Sequence, residues 1–321
     1  LSDGIEETSP AEKEKKKHSL LVDLFIRLVK EKPLGTVGGV IVLILFLTGI
    51  LADVIAPYPY AETHAKDALE PPSAQYILGT DGIGRDLFSR IIYGARVSMV
   101  VGLAGASLSA VIAAILGGVS GFFGGKFDMV VQRFVDAFMC FPPLFFLLAI
   151  MAVLGQGLTQ VILVLGIQGG IRQSRVVRSA VIGIKENVYF DAATAIGAPA
   201  WRILIYHVLP NIAAPIIIIF TLSMGQMILT EATLSFLGFG IPPPMPSWGG
   251  MLSGEGRTYM YFAPWMAIWP GLALSIAVYG INMLGDAVRD ILDPRLRGGL
   301  GRYGRTKKKI RGQKQDVTQK T

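Results

Sequence analysis

The residues best suited to chemistry are few and scattered. His18, His64 and His207 lie far apart, without HExxH or paired spacing, so a histidine-built metal site has no donor set. The single cysteine, Cys140, excludes an intrachain disulfide framework or a cysteine-rich metal cluster, and inside an apolar run it reads as a buried small hydrophobe. Gly125-Lys126 is followed by Phe127, and the residue five before Gly125 is Ser120. A phosphate-cradling loop needs Gly and Ser/Thr at those places, so this chain is not expected to hydrolyse ATP itself. No serine, histidine and acid assemble into a hydrolytic cluster. Three acids stand in apolar surroundings: Asp53, Asp136 and Glu231. An acid at mid-membrane costs about 2.5–3.5 kcal/mol on insertion scales, so Glu231 should face a bundle interior or water. It is expected to bond between helices or to line a path, and Asp136 is a candidate for the same roles.

The elements that would carry these residues are membrane helices. The 321 residues are 52% hydrophobic and 17% charged, with mean hydropathy +0.52. Leu34 to Ala52, Val97 to Gly125 and Thr258 to Gly285 are free of charge, and each could cross a hydrocarbon core of about 30 Å, which takes roughly 20 residues. The first apolar stretch is longer than the roughly 7–15 residues of a signal h-region and should remain as a span. The fold class expected is all-α and polytopic, with six transmembrane helices. The first runs from Leu34 to Ile55 and the second from Val97 to Phe123. Ala137 to Ile171 is 35 residues without charge, split by Gly155 to Gln160 into spans three and four. The fifth covers Ile212 to Leu237 and the sixth Trp265 to Ala287. Gly117 and Gly121 in span two have GxxxG spacing, which lets helix backbones approach closely; packing is preferred over a role in a substrate path.

An even count of spans puts both termini on one side. Of the 30 Lys and Arg, 25 fall on the face holding the termini, the second connection and the fourth connection; Lys66, Arg85, Arg90, Arg96 and Arg257 fall on the other. Positive charge marks the cytoplasmic face, so the termini are expected there. The net charge of +7 therefore reflects topology, and nucleic acid is not an expected partner. Three segments follow: a basic cytoplasmic tail over 1–33, a transmembrane domain over 34–297 containing a cytoplasmic loop at 172–211, and a second basic cytoplasmic tail over 298–321, expected to be disordered from Arg302 to Thr321.

The cytoplasmic loop is the unusual feature. Arg172, Arg175 and Arg178 recur at helical spacing, with heads able to reach the interface. A second short helix is expected over Tyr189 to Ile196, ended by Gly197 and restarted after Pro199. Small Ala192, Ala193 and Ala195, with Tyr189, Phe190 and Ile196 as apolar anchors, suit helix-in-groove docking onto a partner.

These residues resemble a known signature. Asp191-Ala192-Ala193, Gly197 after three more residues, and Leu209-Pro210 match in spacing the EAA loop of permease subunits in binding-protein-dependent ABC importers, with Asp191 in place of Glu and His207 in place of Ile. Leu78 to Asp81, Gly84-Arg85-Asp86, Gly94 to Ser98, Glu231 with Leu234 to Gly238, Pro246-Ser247-Trp248-Gly249, Leu284-Gly285-Asp286 and Asp293 to Leu296 are similar to the second permease subunit of the dipeptide, oligopeptide and nickel branch.

The resemblance implies a type I importer architecture and a non-catalytic translocation subunit in a bacterial or archaeal cytoplasmic membrane. It implies a second permease as heterodimer partner and two ATPase subunits that use ATP and Mg, with no cofactor held by this chain. An extracytoplasmic binding protein would deliver a peptide. Tyr189 to Gly197, with Leu209 and Pro210, would couple to an ATPase. Arg85, Asp86, Ser247 and Trp248 would lie where the binding protein docks, although Trp248 also reads as an interfacial aromatic. Nickel or another small solute is the alternative cargo, and a self-contained channel or gradient-driven carrier the alternative class.

Overall fold

Proline and glycine punctuate the helices. In the computed structural model, which describes residues 27–292, Pro33 opens the first long helix, α1 (Pro33–Ile50), where its missing N–H is one the first turn leaves unpaired anyway. Residues 1–26 of the first basic tail, the whole of the second and the closing segment at 293–296 lie outside the described residues. The second helix, α2 (Leu87–Phe123), begins well before the expected Val97. Hydropathy stops at Arg96 and Arg90, but the helix does not. Asp86 caps it by accepting from Ser89 N (2.8 Å), and Arg90 satisfies its charge by donating to the Tyr60 carbonyl (3.0 Å).

The third expected span is broken. An amphipathic helix, α3 (Gly125–Met139), meets a short apolar one, α4 (Pro143–Leu154), at 86°. Pro142 and Pro143 force the corner, because neither has an N–H to continue the ladder. Cys140 sits exposed at that corner, which corrects the expectation of a buried thiol. At 12 residues α4 is only about 18 Å long, short of the hydrocarbon thickness. The next helix, α5 (Leu158–Lys185), continues past Ile171, where the cytoplasmic loop was expected to begin. A short helix, α6 (Val188–Ala195), follows, then α7 (Ala213–Phe236), the one-turn α8 (Trp248–Leu252) and α9 (Trp265–Leu292).

By length and composition α1, α2, α7 and α9 could each cross a membrane, and the bent pair of α3 and α4 could supply one more. Among the described residues this gives four straight candidates and one broken one, against the six crossings expected. The long helix α5 falls outside this class because Arg172, Arg175, Arg178 and Lys185 occupy its second half.

Close backbone approach orders the bundle. On α1, a Cβ at Gly38 would come within 2.6 Å of Gly280 O on α9. On α2, Gly117 leaves room for the Ser174 carbonyl of α5, and a Cβ at Gly121 would stand 3.0 Å from Arg178 O. Met224, Ile228, Met99, Ala106, Ala277 and Ile281 join α7, α2 and α9 in one core. Exposed Val40, Leu43, Leu47, Ile268, Leu272 and Ile276 give α1 and α9 an apolar outer surface suited to lipid. The end of the bundle bearing residues 186–212 is called the lower end, and the opposite end the upper.

Candidate functional site

The lower-end loop is built to hold a short helix in place and leave one side of it bare. Asn187 closes α5 by donating from Nδ2 to the carbonyls of Gly183 (3.1 Å) and Ile184 (3.0 Å). The first turn of α6 then begins at Val188. Its far end is a Schellman stop: Gly197 N–H donates to Thr194 O (3.0 Å), Ala198 N–H to Ala193 O (3.2 Å), and Gly197 takes φ +74°. Pro199 follows and caps the next helical turn, Ala200–Ile203.

Only part of α6 faces the bundle. Ala193 is buried in a cluster with Val177, Val181, Ile203 and Val208, and Phe190 packs edge-on against Phe122 at 6.1 Å. Phe190 therefore anchors the helix to its own chain. Tyr189, Asp191, Ala192, Ala195 and Ile196 are exposed, Ile196 at 83%. Trp201, Ile205, Tyr206 and Leu209 in the turns that follow are exposed as well, and so is Pro210. A widened turn at Leu204–Val208 precedes Pro210, whose ring would clash with the carbonyl four residues back in a regular helix. His207 lies in this turn, where its carbonyl accepts from Asn211 Nδ2 (2.6 Å). The surface offers packing area with little chemistry on it, and so suits docking.

The intramembrane candidates separate. Glu231 is fully buried; its Oε1 accepts from Ser235 Oγ (2.6 Å), and that oxygen accepts from Ile241 N (3.2 Å). It secures the chain where it leaves α7. Asp136 pairs with Arg175 across to α5. Gly117 and Gly121 lie in the α2–α5 contact. None of these four lines the cavity of about 560 Å³ between α4, α5 and α7, which is lined by Gln168, Arg172, Gln173, Gln226, Thr230 and Thr233 among others. Sequence reasoning missed this group, although Gln226, Thr230 and Thr233 share a face of an otherwise apolar helix.

The upper end is capped by the segments 56–86 and 237–264. Asp81 Oδ2 accepts from Arg85 Nε (2.5 Å), and Arg85 reaches Glu255 at 3.5 Å. Trp265 Nε1 donates to Thr80 O (3.2 Å) and Trp248 Nε1 to Ile91 O (3.1 Å). Trp248, Ser247 and Asp86 are buried, Ser247 capping α8 by accepting from Gly250 N (3.1 Å). They hold the cap together from within, whereas Tyr261 and Phe262, over 80% exposed, form its bare surface. Within the cap Tyr76 OH donates to Asp67 Oδ2 (2.8 Å), and that bond pushes the phenol up to about 12.

Residues 110–298 match the family described as the inner membrane component of binding-protein-dependent transport systems, and residues 19–72 the N-terminal transmembrane domain of oligopeptide transport permease C. The chain is 39% identical over 269 residues to the dipeptide transport system permease protein DppC of Alkalihalophilus pseudofirmus, covering 84% of this chain and 88% of the relative. It is 38% identical over 283 residues to the oligopeptide permease OppC of Bacillus subtilis, covering 88% and 92%. The glutathione permease GsiD of Pectobacterium atrosepticum is 36% identical over 274 residues, covering 85% and 91%. In fold, the chain resembles the inward-facing MetNI methionine ABC transporter at TM-score 0.53 and 18% identity, covering 64% of this chain and 98% of that one.

Proposed function

The chain belongs to the family of inner membrane components of binding-protein-dependent transport systems, and on that footing we propose that it is the translocation subunit of an ATP-driven peptide importer. It is an integral inner-membrane transport component rather than an enzyme in its own right. The three relatives above are named for dipeptide, oligopeptide and glutathione transport, and these cargoes share peptide-bond chemistry.

The observation that carries the reading is the half-bare α6. A helix anchored inward by Phe190 and Ala193 and stripped of cover on its other side is suited to sit in a groove of an ATPase subunit. Two such ATPases would bind at the lower end and use ATP and Mg there. That end would then be cytoplasmic, in keeping with the charge distribution. A second permease would complete the path, and the upper cap would receive the binding protein. Closure of the ATPases would move α6, and the cluster of Ala193, Val181, Ile203, Val208 and Ile219 would carry that displacement into α5 and α7 as a shift between discrete packings.

The test is capture of the native assembly. Ala195 is exposed on α6, so Ala195→Cys supplies a crosslinking thiol; Cys140→Ser removes the competing exposed one. Mass spectrometry of the crosslinked complex from native membranes should identify a P-loop ATPase at position 195 and a co-purifying second permease. Recovery of this chain alone or only with copies of itself would replace the importer reading with a channel or carrier.

A further inference from the structure

Three arginines recur at three-residue intervals on α5, and their fates differ. Arg175 is paired with Asp136 and Arg178 with Asp128, both acids of α3. Arg172 points instead into the 560 Å³ cavity and, among the described residues, has no hydrogen-bond or ion-pair partner. Its level is central on the helix. It stands 14 residues below Leu158 and 13 above Lys185, about 20 Å from either end of α5 at 1.5 Å per residue. The upper reference is fixed, because Gly157 N donates to Gly240 O (3.1 Å) just above α7. Counting down α7 from Phe236, Ser223 and Gln226 reach about the same level. The Arg172 side chain is exposed on the cavity wall, so the charge is free to meet an anion that enters there.

The company it keeps identifies a ligand class. Gln173 and Gln226 carry amides, and the hydroxyls of Thr230 and Thr233, which donate to the Gln226 and Leu229 carbonyls of their own helix (2.7 and 2.8 Å), keep lone pairs that can accept from peptide N–H whatever the side chains. A guanidinium supplies a planar fork of donors that matches a carboxylate, the one anionic group that every unmodified linear peptide carries at its C-terminus. We infer that the cavity between α4, α5 and α7 is a peptide-binding station of the translocation path, with Arg172 receiving the C-terminal carboxylate. This rests on the importer reading.

The test uses the assembled complex in proteoliposomes, with a thiol introduced by Thr230→Cys in the Cys140→Ser background. It compares modification by an anionic and a cationic methanethiosulfonate. With Arg172 in place the anionic reagent should be favoured, and Arg172→Gln should reduce that preference about tenfold, the low end of what a focused local potential does to charged encounters. Arg172→Lys should retain it. In parallel, Arg172→Gln in the Cys140→Ser background should lower ATP-driven uptake of a dipeptide about tenfold more than uptake of its C-terminal amide. An inert thiol, a reagent preference unmoved by Arg172→Gln, or equal loss of both cargoes would overturn the proposal. Absence of any ATP-driven uptake by the complex with Arg172 intact would instead defeat the importer reading, which the reagent ratio does not depend on.

Discussion

Arg178 grips Asp128 with both arms of its guanidinium, Nε to Oδ1 at 2.6 Å and the terminal nitrogen to Oδ2 at 2.5 Å. The pair ties α3 to the lower half of α5. Because both partners are partly covered, removing one strands the other. Asp128→Asn should destabilise the folded chain by about 1.5–3 kcal/mol, the range for hydrogen bonds to charged groups. Thermal unfolding in detergent reads this, and a double-mutant cycle with Arg178→Gln should show coupling. Strict additivity would mean that the two helices are held by something else.

The contact of α2 with α5 gives a sharper contrast. At Gly117 an added Cβ would meet the Ser174 carbonyl, backbone that cannot swing away, whereas at neighbouring Gly118 it meets nothing within 4 Å. Gly117→Ala should cost about 1–3 kcal/mol as an overpacking change. Gly118→Ala should be neutral or slightly stabilising, since Ala is the better helix former. Equal melting temperatures for the two variants would remove Gly117 from the interface.

Much of this was legible in the sequence because lipid and turns impose strict rules. The helix over 188–195 and its glycine stop followed from Gly197 and Pro199, and the first and last long helices from uninterrupted apolar runs. Charge misled where it was satisfied internally. Arg90 lies inside α2 because Tyr60 and Asp81 receive it, and α5 runs on through Arg175 and Arg178 because α3 supplies two acids. Pairings of residues 39 and 50 positions apart leave no local trace. The burial of Trp248 was equally hidden, since an aromatic near a span end reads the same whether it meets lipid headgroups or the Ile91 carbonyl.

Tyr76 gives the upper cap a pH signature. Its hydroxyl donates to Asp67, which raises the phenol from its ordinary 10 to about 12. A raised acid favours its protonated form in the folded state, so the bond's contribution is complete below pH 10 and is lost as pH rises through 12. An ultraviolet phenolate titration should show one tyrosine ionising last, and Tyr76→Phe should delete that step. Its persistence in the variant would assign the late step to another tyrosine.

Glu231 predicts a split between its two obvious replacements. Its Oε1 accepts from Ser235 Oγ, and a glutamine amide oxygen can accept the same bond. Glu231→Gln should fold and assemble as before. Glu231→Ala removes the acceptor and leaves a cavity beside a buried hydroxyl, at a cost of about 1–3 kcal/mol. Yield and thermal stability in detergent distinguish them. Loss of transport in both variants with normal stability would show instead that the charge itself acts in the path.

Gly197 isolates the role of the lower loop. It takes φ +74° with nothing within 4 Å of where a Cβ would stand, so substitution there is penalised by backbone conformation alone. Gly197→Asn should be tolerated, because Asn enters the left-handed region readily, whereas Gly197→Ala should cost about 1–2 kcal/mol of local stability. Gly197→Val adds a β-branch and should unseat the Schellman stop. With Ala193 and Phe190 still anchored, the expected result is a chain that inserts and assembles but turns α6 by a few degrees against its partner. Peptide-stimulated ATPase activity should then fall severalfold while basal hydrolysis remains. Undiminished stimulation in Gly197→Val, at normal assembly, would show that α6 does not carry the coupling.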